Sequence, residues 1–119
     1  MAEPKILPPS LRSPKRYIVF EVVSENKTSY TDVVTAIWDN LLIFLGENDT
    51  SKTRLWIIKN LYDEELQRGV IKCSHMYVEQ LRVALSLISI IGETKATIKI
   101  IGVTGTIKSA KTKYLGGIS

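Results

Sequence analysis

The stretch Tyr17-Ile18-Val19-Phe20-Glu21-Val22-Val23 is β-branched and aromatic and has apolar residues on both of its alternating faces. As a strand it points Ile18, Phe20 and Val22 one way and Tyr17, Val19, Glu21 and Val23 the other. A strand apolar on both sides belongs in the middle of a sheet, paired on each edge and packed on its faces. With 119 residues there is room for one such core and not for a second domain.

The rest of the chain supplies the partners. Ser29 with Asp32 three residues on has the form of a helix N-cap with an acidic first turn. Val34, Ile37, Trp38, Leu41, Leu42 and Leu45 then recur at helical spacing until Gly46, a left-handed stop, and Glu47 to Thr53 reads as a polar loop. Arg54 to Asn60 alternates as a second strand, with Trp56 and Ile58 opposed to Leu55, Ile57 and Lys59. An acidic connection, Tyr62 to Gln67, leads to a third strand at Arg68 to Cys73, so the pair reads as a hairpin with a long tip. Ser74 caps a second helix whose apolar stripe is Val78, Leu81, Ala84, Leu85 and Ile88 and which ends near Gly92. Lys95 to Ile101 is a fourth strand, and Gly102 and Gly105 predict a bend or bulge after it.

The order βαββαβ folds most simply as an α+β, ferredoxin-like or RRM-like sandwich. That is a four-stranded antiparallel sheet with strands one and three central and both helices on one face. Ile18, Phe20, Val22, Trp56, Ile58, Ile71, Cys73, Ile98 and Ile100 then face the helices. Tyr17, Val19, Glu21, Val23, Leu55, Ile57, Val70, Lys72, Lys99 and Ile101 form the open face. A bare patch of that size needs a cover. The expected cover is a protein partner, meeting Val19, Leu55, Ile57, Val70 and Ile101. The flanks divide off as an extended, proline-interrupted arm over residues 1–16 and a basic tail over 108–119, around a domain at 17–107.

Charge is segregated in the same way. Residues 1–16 carry +3, residues 17–94 carry −4, and residues 95–119 carry +5 with no acid at all. A mildly acidic body with two basic ends suits a protein that grips a polyanion with its extremities, although solvated basic tails are common in their own right. Arg12, Lys15, Arg16, Lys108, Lys111 and Lys113 are the candidate contacts to an RNA backbone. Strands one and four are neighbours, so the two basic segments can lie together; this reading sets Arg16 and Lys108 at opposite ends of that pair and leaves their proximity to geometry.

Other chemistries fare worse. Cys73, Ser74 and His75 are consecutive, so strand alternation points them apart, and a buried thiol beside an ordinary surface histidine is the better explanation. One cysteine and one histidine make neither a disulfide nor a metal site. Asp63, Glu64 and Glu65 read as a solvated loop tip. Gly102 and Gly105 lack the lysine and hydroxyl residue of a phosphate loop. The positions where an RRM sheet would stack bases on its third strand hold Val70 and Lys72, and Tyr17 on the first strand, an aromatic at a strand start, is more often packing than readout. No run approaches eighteen apolar residues, and prolines stand where a signal peptide would have its apolar run, so the expectation is a soluble, cytoplasmic chain.

The segment Leu7-Pro8-Pro9-Ser10-Leu11-Arg12, followed by Lys15-Arg16-Tyr17-Ile18, resembles the entry of archaeal ribonuclease P protein component 2, a family homologous to a eukaryotic Pop-type subunit. The run Gly102-Val103-Thr104-Gly105-Thr106-Ile107-Lys108 is similar to that family's ending, with Thr104 where a serine is expected. Ala36-Ile37-Trp38 and Ala84-Leu85 fall where the family has similar residues. The resemblance runs from about Leu7 to Tyr114. It implies a non-catalytic subunit that assists an RNA catalyst in removing the 5′ leader of precursor tRNA. The chain itself would bind no cofactor, Mg2+ being used by the RNA. It also implies pairing with ribonuclease P protein component 3, a TIM-barrel-like subunit, as a heterotetramer, and carries Arg12, Lys15, Arg16 and Lys108 over as RNA contacts. The rival expectation is a ferredoxin-like protein-interaction or small-ligand regulatory domain with no RNA role.

Overall fold

The computed structural model describes residues 14–115. In chain order the elements are β1 (Lys15–Ser24), α1 (Tyr30–Lys52), β2 (Trp56–Ile57), β3 (Arg68–Ser74), α2 (Val78–Ser86), β4 (Ile90–Ile91), β5 (Thr94–Thr104) and α3 (Ile107–Tyr114). As its two apolar faces demand, β1 is central. It runs antiparallel to β3 on one side and to β5 on the other, giving the order β2-β3-β1-β5-β4. Opposite Val19 stands Gly102 and opposite Phe20 stands Ile100, so Ile101 is an extra, bulged residue, one position ahead of the expected irregularity, and β5 continues through Gly102 to Thr104.

One face of the sheet packs against α1 and α2. Ile18, Phe20, Ile71, Ile37, Leu41, Leu81 and Leu85 are fully buried there, with Val22, Cys73 and Ile98 close behind. The N-cap of α1 is Ser29, whose hydroxyl accepts from the Asp32 amide at 3.1 Å. Asn40 of α1 donates its side-chain amide to the carbonyl of Ala84, tying the two helices together. Gln67 closes the sheet's far end. It sits in the left-handed region (φ 53°), where its Oε1 accepts from the amide and hydroxyl of Thr28 at 2.9 and 3.0 Å and its Nε2 donates to the Val22 carbonyl and the Ser24 hydroxyl.

Several expectations are corrected. The α+β class holds, but the sheet has five strands and helices on both of its faces. Gly46 (φ 84°) does break α1, yet the helix resumes and runs to Lys52, because Thr50 is buried and its hydroxyl donates to the Leu41 carbonyl at 3.1 Å. The second helix stops at Ser86, and Ile90–Ile91 turns through Gly92 to pair with the start of β5. Paired β2 is only two residues long and inverted relative to expectation. Leu55 and Ile57 lie in the main core at 5% and 7% exposure, whereas Trp56 is 64% exposed and Ile58 belongs to the opposite face. Both sets of alternating residues are apolar, so no polarity marked which side was inward.

The largest correction concerns the open face, which is not open. α3 lies across it, and Ala110 closes with Val19 and Val70 into a second, fully buried cluster flanked by Tyr17, Ile58, Leu61, Ile101, Tyr114 and Leu115. Of the five residues expected at a partner surface, Val19 and Val70 are sealed beneath α3, Leu55 and Ile57 are in the other core, and Ile101 is half-buried against the second cluster. The supposed tail therefore begins as a packed helix, and Lys15 and Arg16 belong to β1 and not to an arm.

Candidate functional site

The register decides where the basic residues meet. Tyr17 pairs with Thr104, so the start of β1 and the end of β5 are side by side, and Lys15 and Arg16 lie next to the turn that begins α3. This corrects the expectation that Arg16 and Lys108 stand at opposite ends of the pair. The turn is built by two hydroxyls. Thr104 donates to the Thr106 carbonyl at 2.8 Å, and the Thr106 side chain caps α3 by accepting from the Ser109 amide at 3.1 Å. Pro14 is held at the same end, its carbonyl accepting from the His75 amide at 3.0 Å.

On α3 the lysines divide. Lys108 and Lys111 are three residues apart on one flank, lining an open groove of about 1010 Å³ whose facing wall is Asn60 to Glu64 and whose apolar lining is Leu61, Ile107 and Leu115. Lys113 does not line that groove. Lys111 and Lys113 in the last turn are explained by the helix dipole alone. Lys108 is different, because it stands in the first turn, where the dipole favours an anion and no acidic residue is present. Lys15, Lys108, Lys111 and Lys113 are exposed and Arg16 is half-buried; among the described residues none of the five joins an ion pair, even with Asp63 and Glu64 across the groove. Arg12 lies outside the described residues.

Two residues with consequences were missed by sequence reasoning. Arg68 donates through Nη1 to the Tyr114 carbonyl at 2.9 Å while its Nε lies 3.4 Å from Glu21, so it caps the C-terminal end of α3 and holds the helix to the sheet. Nothing in the sequence pattern marks it, since its partner is 46 residues away. The strand alternation around Trp56 predicts a core position; only the pairing with β3 reveals its exposure.

Cys73 is buried, and desolvation pushes its thiol up to about 11, so it is protonated at neutral pH, whereas His75 is exposed. Among the described residues no group of three or more His, Cys, Asp or Glu could hold a metal ion, and no helix is long and apolar enough to cross a membrane.

Fold and charge together define a class: a small α+β domain that gathers cations at one end of its sheet and along the helix covering it. The Rpp14/Pop5 family profile matches residues 16–115, and the chain belongs to that family. It is 46% identical to ribonuclease P protein component 2 of Pyrococcus furiosus, over 94% of this chain and 92% of that relative. Proteins of the same name from Methanothermobacter thermautotrophicus (40%, covering 93% of each chain) and Methanosarcina mazei (37%, covering 93% and 92%) are also similar. A chain in the cryo-EM structure of yeast ribonuclease MRP shares the fold with a TM-score of 0.61 at 10% identity, covering 80% of this chain and 76% of that one.

Proposed function

We propose that this chain is a non-catalytic protein subunit of ribonuclease P, acting in the cytoplasm, that binds and stabilises the catalytic RNA for removal of the 5′ leader from precursor tRNA. The observation that carries the reading is the near full-length correspondence with relatives named ribonuclease P protein component 2. Support for the RNA-binding part comes from the charge geometry: Lys15, Arg16 and Lys108 come to one end of the sheet without internal counter-ions among the described residues. There they are available to neutralise phosphates, releasing condensed counter-ions and offsetting the repulsion that opposes a compact RNA. The proposal also takes in Lys111 and Lys113 along α3 and, from the sequence, Arg12, which lies outside the described residues. The chain contributes no metal ligand to the reaction; Mg2+ serves the RNA.

The protein partner in this reading is ribonuclease P protein component 3, in a heterotetramer. Closure of the second sheet face moves the candidate docking surface to the helical layer. There Ile43, Leu87 and Ile90 are exposed at 85%, 55% and 59% around a shallow pocket that also includes Asp39 and Asn40.

Reconstitution tests the function. Adding the chain and its partner to ribonuclease P RNA at limiting Mg2+ is expected to stimulate precursor cleavage, and no stimulation would reject the proposal in favour of an interaction or ligand-binding domain. Replacing Lys15, Arg16 and Lys108 by alanine is expected to lower the slope of log affinity against log salt by about 2 to 3. The thermal midpoint should move little, because all three lie outside both cores.

A further inference from the structure

Trp56 of β2 stands opposite Lys72 of β3, Lys72 opposite Tyr17 of β1, and Tyr17 opposite Thr104 of β5. Directly opposed residues of antiparallel strands share a face, so these four form one row across the sheet on the side that bears α3. The row is covered at its β5 end, where Thr104 is buried and Tyr17 packs against the Ala110 cluster, and opens toward β2. Two residues further along, Val19 and Val70 are completely buried, while Trp56 is 64% exposed and Lys72 and Tyr17 are half-buried. Fraying does not account for the exposure, because Ile57, the next residue, is 7% exposed and paired with Ile71 in the main core. A large aromatic ring is therefore held at the surface by an anchored backbone, at a cost that burial would have removed.

The surroundings of this ring are one-sided in charge. Lys72 is its cross-strand neighbour, the same-face residues two positions away along β3 and β1 are Val70, Ser74, Lys15 and Val19, and Ile58 just beyond β2 packs in the same cluster as Val19 and Val70. No carboxylate is among them. An exposed aromatic plane beside a lysine, next to the strand end that carries Lys15, matches what unpaired nucleotides require: a π-face for the base and cations for the phosphates on either side.

We propose that Trp56 is a stacking platform for an unpaired base of RNA, with Lys72, Lys15 and Tyr17 bordering the nucleotide. This rests on the RNA-binding reading above and adds to it a single-strand contact that the basic residues alone do not supply. Because stacking tolerates any base, the site selects unpaired geometry and not sequence.

The test uses the full chain and an unstructured oligoribonucleotide of adenosine and cytidine, about 12 nucleotides long. The other tryptophan, Trp38, packs against the main core, so a Trp38→Phe chain leaves Trp56 as the only indole emitter. Titration with the oligonucleotide is expected to quench its emission. In the otherwise native chain, Trp56→Ala is expected to weaken oligonucleotide binding about tenfold to a hundredfold with an unchanged salt slope, and Trp56→Tyr to restore most of it. Affinity for a blunt RNA duplex of the same length should not change. Unquenched emission with equal binding by wild type and Trp56→Ala would overturn the stacking site and leave the RNA-binding reading standing. Loss of the protein partner from Trp56→Ala with RNA binding intact would overturn it in favour of a protein contact. If the wild-type chain binds neither the oligonucleotide nor ribonuclease P RNA, both readings fall together.

Discussion

On one side of the sheet α1 and α2 bring their own apolar stripes to Ile18, Phe20 and Ile71; on the other, α3 brings one fully buried residue, Ala110, to Val19 and Val70, with Tyr114 and Leu115 partly buried beside it. The strands are less apolar on that second side, where Glu21, Arg68, Lys72 and Lys99 share the face of Val19 and Val70, and its cover is correspondingly thin. Two amphipathic helices stabilise the first face through many buried side chains, at roughly 1.5–3 kcal/mol for each large one. The second face is closed by an eight-residue helix with three lysines, too short to be stable alone. Three local fits secure it: the Thr106 cap, the Arg68 bond to the Tyr114 carbonyl, and the close approach of the Tyr114 ring to Gly102, where a Cβ would overlap the ring. A thin cover presents its lysines to solvent while its few apolar atoms seal the sheet, so packing and polyanion binding share one short element.

This contrast can be broken experimentally. Leu81→Ala, in the thick layer, is expected to destabilise the whole chain by about 2–5 kcal/mol, read as a shift of the denaturant midpoint with a single cooperative transition. Gly102→Val should displace Tyr114 and cost about 1–3 kcal/mol. Its signature is hydrogen exchange: amides of α3 should lose protection while those pairing β1 with β3 keep it. If both lose protection equally, the two faces are a single cooperative unit and the distinction drawn here is void. Arg68→Ala is the mildest change, about 1 kcal/mol, because the guanidinium is partly exposed and its bond to Tyr114 is replaced in part by water. Faster exchange confined to the last turn of α3 is the result that would sharpen the comparison.

Much of the thick layer could be read directly. The Ser29 cap, the helical spacing of Ile37 and Leu41, the inward set Ile18, Phe20 and Val22, and the irregularity beside Gly102 all follow from local pattern. The thin layer could not be read in this way. Ile107 to Tyr114 has few apolar residues and three lysines, so no stripe announces a packed helix, and its burial depends on Ala110 and Tyr114 meeting a sheet face formed elsewhere. The β4–β5 hairpin was hidden because Ile88 continues the periodicity of α2 to within two residues of Ile90. As for the candidate site, the basic residues were visible as charges. Their meeting at one end required the register of Tyr17 with Thr104, and Trp56 became a surface residue only through its pairing with Lys72.

Taken alone, the sequence determined that β1 is central, that Ser29 caps α1, and that cations collect at the two extremities; each of these depends on neighbours within a few residues. The cap expected of Ser74 falls one turn early, on the 3-10 turn His75–Tyr77, and α2 starts at Val78 with no side-chain cap. Tertiary structure decided which face of β2 is inward, what covers the second side of the sheet, and which cations stand together. Those outcomes turn on strand register, where a shift of one residue reverses every side chain, and on contacts between segments far apart in the chain.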